Sequence, residues 1–151
     1  MRFDQTGDVL HYVERFHAEI AGSYANLAAS VTDRRARMLL EYMSSREQEA
    51  ADSVHKFSHG SSDRTLKEWD PFTIDDGAIR MRIQEELKPS ASADDLLGLG
   101  VEVACWFEEL FRALEAKSGT PDQKTLFASM RERTDREKHK LARNANMLLD
   151  F

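Results

Sequence analysis

Residues 39–59 constrain the fold of this chain more than any other stretch, because a helical stripe of apolar residues there contains one carboxylate. The stripe consists of Leu39, Met43, Ala50, Val54 and Phe57. Glu47 lies in the middle of it. A carboxylate on the buried side of a helix requires a metal, a cation or a proton as its partner. The partner of Glu47 therefore decides which kind of protein this is.

The composition predicts a single folded domain over residues 1–151. The hydrophobic fraction is 41% and the charged fraction 32%, which excludes a disordered or a membrane protein. No apolar run approaches the ~18 residues of a spanning helix, and the first residues lack the apolar segment of a signal peptide. Cys105 is the only cysteine, which favours a reducing compartment and a cytoplasmic protein. The net charge is −6 and basic residues are scattered among acidic ones, which argues against nucleic-acid binding.

The first predicted helix runs from about residue 8 to residue 30. Its apolar stripe consists of Val9, Val13, Phe16, Ile20, Tyr24 and Leu27. His17 lies beside this stripe, seven residues before Tyr24. Since two helical turns span ~7 residues, the two side chains share one face of the helix.

The second predicted helix runs from about residue 33 to residue 59 and completes a hairpin over about residues 8–59. Thr32 is its predicted N-cap, and Gly60 is its predicted C-terminal cap. A long connection over residues 60–92 follows.

Within this connection, residues 69–72 (Trp-Asp-Pro-Phe) are interpreted as an aromatic anchor at a turn. Residues 75–87 favour a short amphipathic helix, although their apolar residues also alternate as in a strand. The Lys-Pro-Ser-Ala-Ser segment at residues 88–92 marks a break before the second half of the chain.

Residues 93–149 predict a second helical hairpin. Its first helix covers about residues 93–117, with Leu97, Val101, Ala104, Phe107, Phe111 and Leu114 directed inward. Thr120 is a good N-cap for its second helix, Pro121 suits the first helical position, and Gln123 completes a capping box. The stripe of this last helix includes Phe127, Met130, Leu141, Ala145 and Leu148.

The two hairpins repeat one pattern. A shift of 87 positions aligns Tyr24 with Phe111, and a shift of 88 positions aligns Glu47 with Asp135. An additional residue in the loop before the last helix explains the change. Two helical hairpins joined by a long crossover predict an all-α fold, an antiparallel four-helix bundle.

These features resemble the ferritin-like superfamily, and within it the rubrerythrin-like proteins. In that family the first and third helices carry a Glu seven residues before a Tyr, and the second and fourth helices carry Glu-x-x-His. Together these residues hold two irons in the core of the bundle. The resemblance covers most of the chain outside residues 60–92 and implies a ferritin-like bundle with a long crossover between its second and third helices.

The chain departs from the family's ligand pattern in its first three helices. His17 stands where the first helix of the family has Glu, and Ala50 stands where His should follow Glu47. In the third helix, Ala104 and Phe111 occupy the positions of the Glu and the Tyr. A complete di-iron centre is therefore not expected.

In the fourth helix Asp135 is followed by Lys138, where the family has His. The resemblance places His17, Glu47 and Asp135 at the position of the family's irons, and these three are the predicted metal ligands if a metal is bound. Lys138 neutralises a carboxylate there, so we expect its ammonium within ~4 Å of Glu47 or Asp135. The preferred interpretation is a degenerate site in which a salt-bridge network replaces iron.

Three functional hypotheses follow. The first is a non-enzymatic protein without a cofactor that acts in interaction or sensing and forms a homodimer, with an unknown protein partner and no membrane association. The second is an oxidoreductase or metal-storage protein that binds iron or manganese with a reduced ligand set. The third is the binding of a small molecule in the space left by Ala50 and Ala104.

A second group of polar residues lies elsewhere on the second helix. Asp52, His55 and His59 share one face, and two imidazoles one turn apart can chelate zinc or nickel. A solvated polar face near the C-terminal end of the helix dipole is the preferred interpretation. Cys105, beside Trp106, is interpreted as a small buried hydrophobic residue.

Overall fold

The computed structural model describes residues 1–149, apart from the side chains of Asp70 and of residues 145–149. These residues form six helices and a two-stranded sheet, so the chain is mostly helical, as predicted. The elements are β1 (Arg2–Gln5), α1 (Thr6–Ala28), α2 (Arg34–Gly60), α3 (Asp63–Leu66), β2 (Trp69–Thr73), α4 (Gly77–Glu86), α5 (Ala93–Lys117) and α6 (Pro121–Leu149). Within this part of the chain, no helix is both long enough and apolar enough to cross a membrane.

The second pair of long helices begins at the residues that the sequence predicts. The hydroxyl of Ser92 accepts a hydrogen bond from Asp95 N at 3.1 Å, which caps α5. The hydroxyl oxygen of Thr120 accepts one from Gln123 N at 3.3 Å at the start of α6. The predicted capping box is wrong in one partner, because the Gln123 side chain accepts from Gly119 N at 3.0 Å instead of from Thr120 N.

The predicted N-cap of α2 is wrong by one residue. Asp33, not Thr32, precedes the helix, and its carboxylate accepts a hydrogen bond from Ala36 N at 3.0 Å. A carboxylate here also interacts favourably with the positive end of the helix dipole, which a threonine hydroxyl does not. At the other end Gly60 is still helical, and Ser61 is the C-cap.

The four long helices contribute to one hydrophobic core. α1 packs along α2 and α5 packs along α6, while α2 also contacts α5 and α6. The large, fully buried side chains include Phe16, Ile20, Tyr24, Leu39, Leu40, Leu96, Phe107, Phe111 and Phe127. In α6, Phe127, Met130 and Leu141 are buried as predicted. Ala145 and Leu148, the other members of that predicted stripe, lie outside the described side chains.

The buried face of α5 differs from the prediction in its first half. Leu97 and Val101 are partly exposed, whereas Leu96, Leu99 and Val103 are buried. The sequence is apolar at nearly every position there, so periodicity alone does not define the buried face. Packing against the other long helices selects it.

The prediction of a turn at residues 69–72 is wrong, because these residues lie in strand β2. β2 pairs antiparallel with β1, which sets Phe3 opposite Phe72. Phe72 packs against the core, and the Lys117 ammonium lies 5.6 Å from the centre of its ring, while Trp69 is 67% exposed. The preferred short helix in the same connection is confirmed as α4.

Candidate functional site

A cavity of about 60 Å³ lies between the four long helices. Its polar and charged lining consists of His17, Tyr24, Arg46, Glu47, Arg133, Thr134, Glu137 and Lys138. Ala50 and Ala104, whose small side chains were predicted to leave space here, line it as well. Both hairpins therefore contribute to one polar site in the interior.

His17 and Glu47, two of the predicted site residues, meet in this cavity. His17 Nδ1 lies 2.6 Å from Glu47 Oε2, within hydrogen-bonding distance. The His17 ring stacks on the Phe107 ring with centroids 3.8 Å apart, and only 5% of His17 is exposed. Packing thus holds the imidazole against the carboxylate in the apolar stripe of α2.

Asp135, the third predicted ligand, does not join them. Its side chain is 45% exposed and contacts Lys138 and His139 within its own helix. Asp135 follows Phe127 by eight residues, which turns its side chain ~80° away from the buried line of α6. Thr134, seven residues after Phe127, takes the inward position instead.

Lys138 lies at the cavity between two carboxylates. Its Nζ is 3.5 Å from Asp135 Oδ1, within the expected range, and 2.7 Å from Glu108 Oε2. The hydrogen bond with Glu108 raises the pKa of the Lys138 ammonium. Sequence reasoning missed Glu108, because it lies one position off the predicted inward stripe of α5 and its partner is on another helix.

A second ion pair that sequence reasoning missed joins α2 to α6. A terminal nitrogen of Arg46 contacts the carboxylate of Glu137, and the other donates to Glu49 Oε2 at 2.8 Å. Arg46 precedes Glu47 in the chain, and Glu137 precedes Lys138. The sequence signal that could have found this pair is adjacency, because the neighbours of an inward residue can also border a cavity between helices.

Arg133 is a cation of the lining that has no carboxylate partner among the described side chains. It forms no ion pair with the residues that the structure describes, and its hydrogen bond to the Glu49 carbonyl oxygen is long, at 3.5 Å. Burial, and then the nearby guanidinium of Arg46, lower the pKa of Arg133. Burial and the charge of Arg46 both disfavour the protonated guanidinium of Arg133. An arginine nonetheless stays protonated in a protein, because its ordinary pKa is so high.

Two buried donors in the lining lack an acceptor among the described residues. One is the hydroxyl of Tyr24, which is only 1% exposed, and the other is Nε of Arg46. Burial raises the pKa of the Tyr24 hydroxyl well above its usual range, and the carboxylate of Glu47 raises it further. Buried donors without a partner are rare in folded proteins. These two donors therefore mark a place where a bound ligand or water could accept a hydrogen bond.

The described part of the chain contains no group of three or more His, Cys, Asp or Glu side chains arranged to hold a metal ion.

On the surface of α2, the His55 ring lies 4.1 Å from the His59 ring, and His55 Nδ1 lies 2.9 Å from Glu14 Oε1. Asp52 instead accepts a hydrogen bond within its own helix. Cys105 is a free, partly buried thiol.

Three cations, two carboxylates and an imidazole converge on the cavity. Such a lining holds a small ligand through hydrogen bonds and charge. Comparison of the chain with protein-family models, with curated proteins and with solved structures finds no match. The chemistry of the cavity is therefore inferred from its own residues.

Proposed function

We propose that this chain is a ferritin-like four-helix bundle protein in which ion pairs take the place of the di-iron centre, and that it acts in interaction or sensing without a metal cofactor. One observation carries the proposal: Arg46, Arg133 and Lys138 line the cavity in which His17 and Glu47 meet. Cations at this position repel a metal ion and neutralise carboxylates that would otherwise bind one.

The ferritin-like part of the proposal is supported by the packing of the two hairpins. α1 pairs with α2, α5 pairs with α6, and residues 61–92 lead from one pair to the other. Tyr24 and Phe111, which the internal repeat aligns, are both buried. This arrangement agrees with a bundle of two related hairpins.

Metal analysis tests the proposal. The protein is purified without a His-tag, incubated with iron or manganese, separated from free metal and measured by elemental analysis. We expect no stoichiometric metal in the wild type, and the same result for the double variant His17→Ala, Glu47→Ala. Stoichiometric metal in the wild type that the double variant loses would contradict the proposal.

The alternative function is a metal-dependent oxidoreductase or a metal-storage protein. It is favoured by the contact between His17 and Glu47 at 2.6 Å and by Glu137, a second carboxylate in the lining. An imidazole and two carboxylates are ligand types that suit iron or manganese. They are not arranged to hold an ion in the described part of the chain, so this alternative requires Glu137 to leave Arg46 and turn toward the other two. Under this alternative, bound metal is lost in Glu137→Gln and kept in Asp135→Asn, because Asp135 does not line the cavity.

The proposal includes a homodimer formed through the first two long helices. Ala25 of α1 and Ala29, the residue that follows α1, are exposed and line a surface hollow of about 350 Å³ with Arg37 and Glu41 of α2. A twofold interface brings the same surface of both copies together, and the exposed Arg37 and Glu41 give this surface opposite charges that can complement each other. Sedimentation velocity is expected to give a dimer for the wild type and a monomer for Ala25→Arg, whereas a monomeric wild type would exclude this arrangement.

A further inference from the structure

We propose that the cavity between the four long helices binds a small monovalent oxyanion, of the size of formate or nitrate, with Arg133 as its charge partner. The inference rests on the proposed function, because a metal ion in the same cavity would occupy the space that the anion needs. It adds the chemical class of the ligand that a sensing role requires.

Among the residues that the structure describes, the charged side chains at the cavity are engaged in pairs, with the exception of Arg133. The pairs are His17 with Glu47, Arg46 with Glu137, and Lys138 with Glu108. The carboxylates of Glu49 and Glu47 act on Arg133 only from beyond ion-pair distance. A partly buried guanidinium without a counter-charge is unfavourable, and a monovalent anion supplies that charge. Its planar fork of N–H groups also matches two oxygens of one oxyanion.

The unpaired donors point to the same class of ligand. The Tyr24 hydroxyl and Nε of Arg46 are buried without an acceptor among the described residues. Burial keeps the pKa of Tyr24 high, so its hydroxyl retains the proton that it would donate. An anion accepts hydrogen bonds from both groups, whereas a metal ion accepts from neither.

The volume and the acidic lining limit which anions fit. A cavity of about 60 Å³ holds about four water-sized groups, enough for formate or nitrate and too few for a nucleotide or a sugar phosphate. Glu47 and Glu137 in the lining repel a second negative charge, which disfavours sulfate and phosphate. A small monoanion satisfies both limits.

Arg133 also connects the cavity with the protein surface. Its side chain lines a surface hollow of about 380 Å³ together with Ser53, Lys56 and Phe57. The Lys56 ammonium adds positive charge on this outer side, which attracts anions. Arg133 therefore borders both the cavity and this hollow, and an anion attracted to the hollow lies next to the charge partner that the inference assigns to it.

Isothermal titration calorimetry tests the inference on the full chain after treatment with a chelator. Sodium formate, sodium nitrate and sodium sulfate are titrated separately at constant ionic strength and pH. We expect saturable binding of formate and nitrate at a single site per chain, and sulfate binding weaker by about tenfold or more. The rise of the melting temperature with formate concentration provides a second measurement.

Two variants separate the cavity from the surface. Arg133→Met removes the charge and keeps much of the side-chain length, while Tyr24→Phe removes only the hydroxyl. Arg136→Met is the matched control, because Arg136 is exposed on the same helix. We expect formate affinity to fall about tenfold or more in Arg133→Met, to fall less in Tyr24→Phe and to stay unchanged in Arg136→Met. If Arg133→Met does not fold, Arg133→Lys provides the test, because it loses the paired donors.

The outcomes distinguish the inference from the proposed function. Absence of saturable formate and nitrate binding, or equal formate binding in the wild type and the Arg133 variant, overturns the inference alone. Sulfate binding as tight as formate binding also overturns it, since it indicates surface cations. Stoichiometric metal before chelation that is lost in the variant His17→Ala, Glu47→Ala overturns the proposed function, whatever the formate titration gives.

Discussion

The hydroxyl of Tyr24 is buried without an acceptor among the described residues, and its removal is expected to stabilise the protein. Tyr24→Phe keeps the ring and deletes the unpaired donor. We expect the free energy of unfolding at neutral pH to rise by about 1 kcal/mol, measured by urea-induced unfolding without added anion. Tyr42→Phe is the control: the Tyr42 hydroxyl accepts a hydrogen bond from Asn144 Nδ2 at 2.8 Å, so its loss is expected to lower stability.

The same residue predicts how stability changes at alkaline pH. Burial first, and Glu47 second, raise the pKa of Tyr24 well above the ordinary value of 10.0. The folded state therefore keeps a proton that the unfolded chain releases, so this stabilisation is full below the ordinary pKa and is lost as the pH rises above it. Between about pH 9.5 and 11, we expect the free energy of unfolding to fall less steeply in Tyr24→Phe than in the wild type. If the free energy of unfolding falls equally steeply with pH in both proteins, the pKa of Tyr24 is not raised in the folded state.

At the scale of single residues, the sequence predicted that His17 and Glu47 would meet. It did not predict which residues of α6 face inward. The apolar stripes placed His17 and Glu47 on the inner faces of their helices, and the resemblance to the ferritin-like family predicted that the two would meet. The internal repeat aligned Glu47 with Asp135 at a shift of 88, yet a shift of 87 gives Thr134, which lines the cavity. A single residue turns a helix by ~100°, so an error of one position exchanges inward and outward side chains.

At the scale of elements, the start of α2 offers a matched pair of variants. Asp33 caps the helix through a hydrogen bond from Ala36 N at 3.0 Å, while Thr32, the residue that the sequence favoured, is exposed. We expect Asp33→Ala to lower the free energy of unfolding by about 1 kcal/mol and Thr32→Ala to change it by less than about 0.5 kcal/mol. Urea-induced unfolding of both variants checks this, and the reverse order would restore Thr32 as the cap.

The helices were predictable and the sheet was not, for a reason of sequence distance. Helix ends depend on local signals, such as the Ser92 hydroxyl that accepts from Asp95 N. The sheet depends on a pairing between distant segments, in which the Met1 amino group donates to Ile74 O at 2.9 Å across 73 positions. No local pattern distinguishes such a strand from a turn of similar composition.

At the scale of the whole molecule, the cavity depends on how one hairpin sits against the other. Each hairpin follows from a short loop and two apolar stripes, so its own packing is predictable. The contacts of Arg46 with Glu137 and of His17 with Phe107 cross between the hairpins. Their relative shift and rotation are set by side-chain packing, which periodicity does not encode.

A substitution at Gly100 tests how closely the two hairpins pack against each other. A Cβ at residue 100 would lie 3.0 Å from Leu141 Cδ2 and 3.1 Å from Met43 Sδ. Both side chains are buried and line the cavity, so admitting the methyl group requires them to shift by a few tenths of an ångström and changes the lining. We expect Gly100→Ala to leave the free energy of unfolding at least about 1 kcal/mol below that of Gly98→Ala, measured by urea-induced unfolding.

Gly98 is the matched control, because it lies on the same helix and a Cβ there meets nothing within 4 Å. Gly98→Ala is expected to raise the free energy of unfolding by about 0.5–1 kcal/mol through helix propensity alone. If both variants gain the same free energy of unfolding, the hairpins separate easily. Close contact at Gly100 then does not set the size of the cavity. If Gly100→Ala loses stability, Met43 and Leu141 are displaced in the lining of the cavity, and formate binding should weaken in that variant while Gly98→Ala binds as the wild type does.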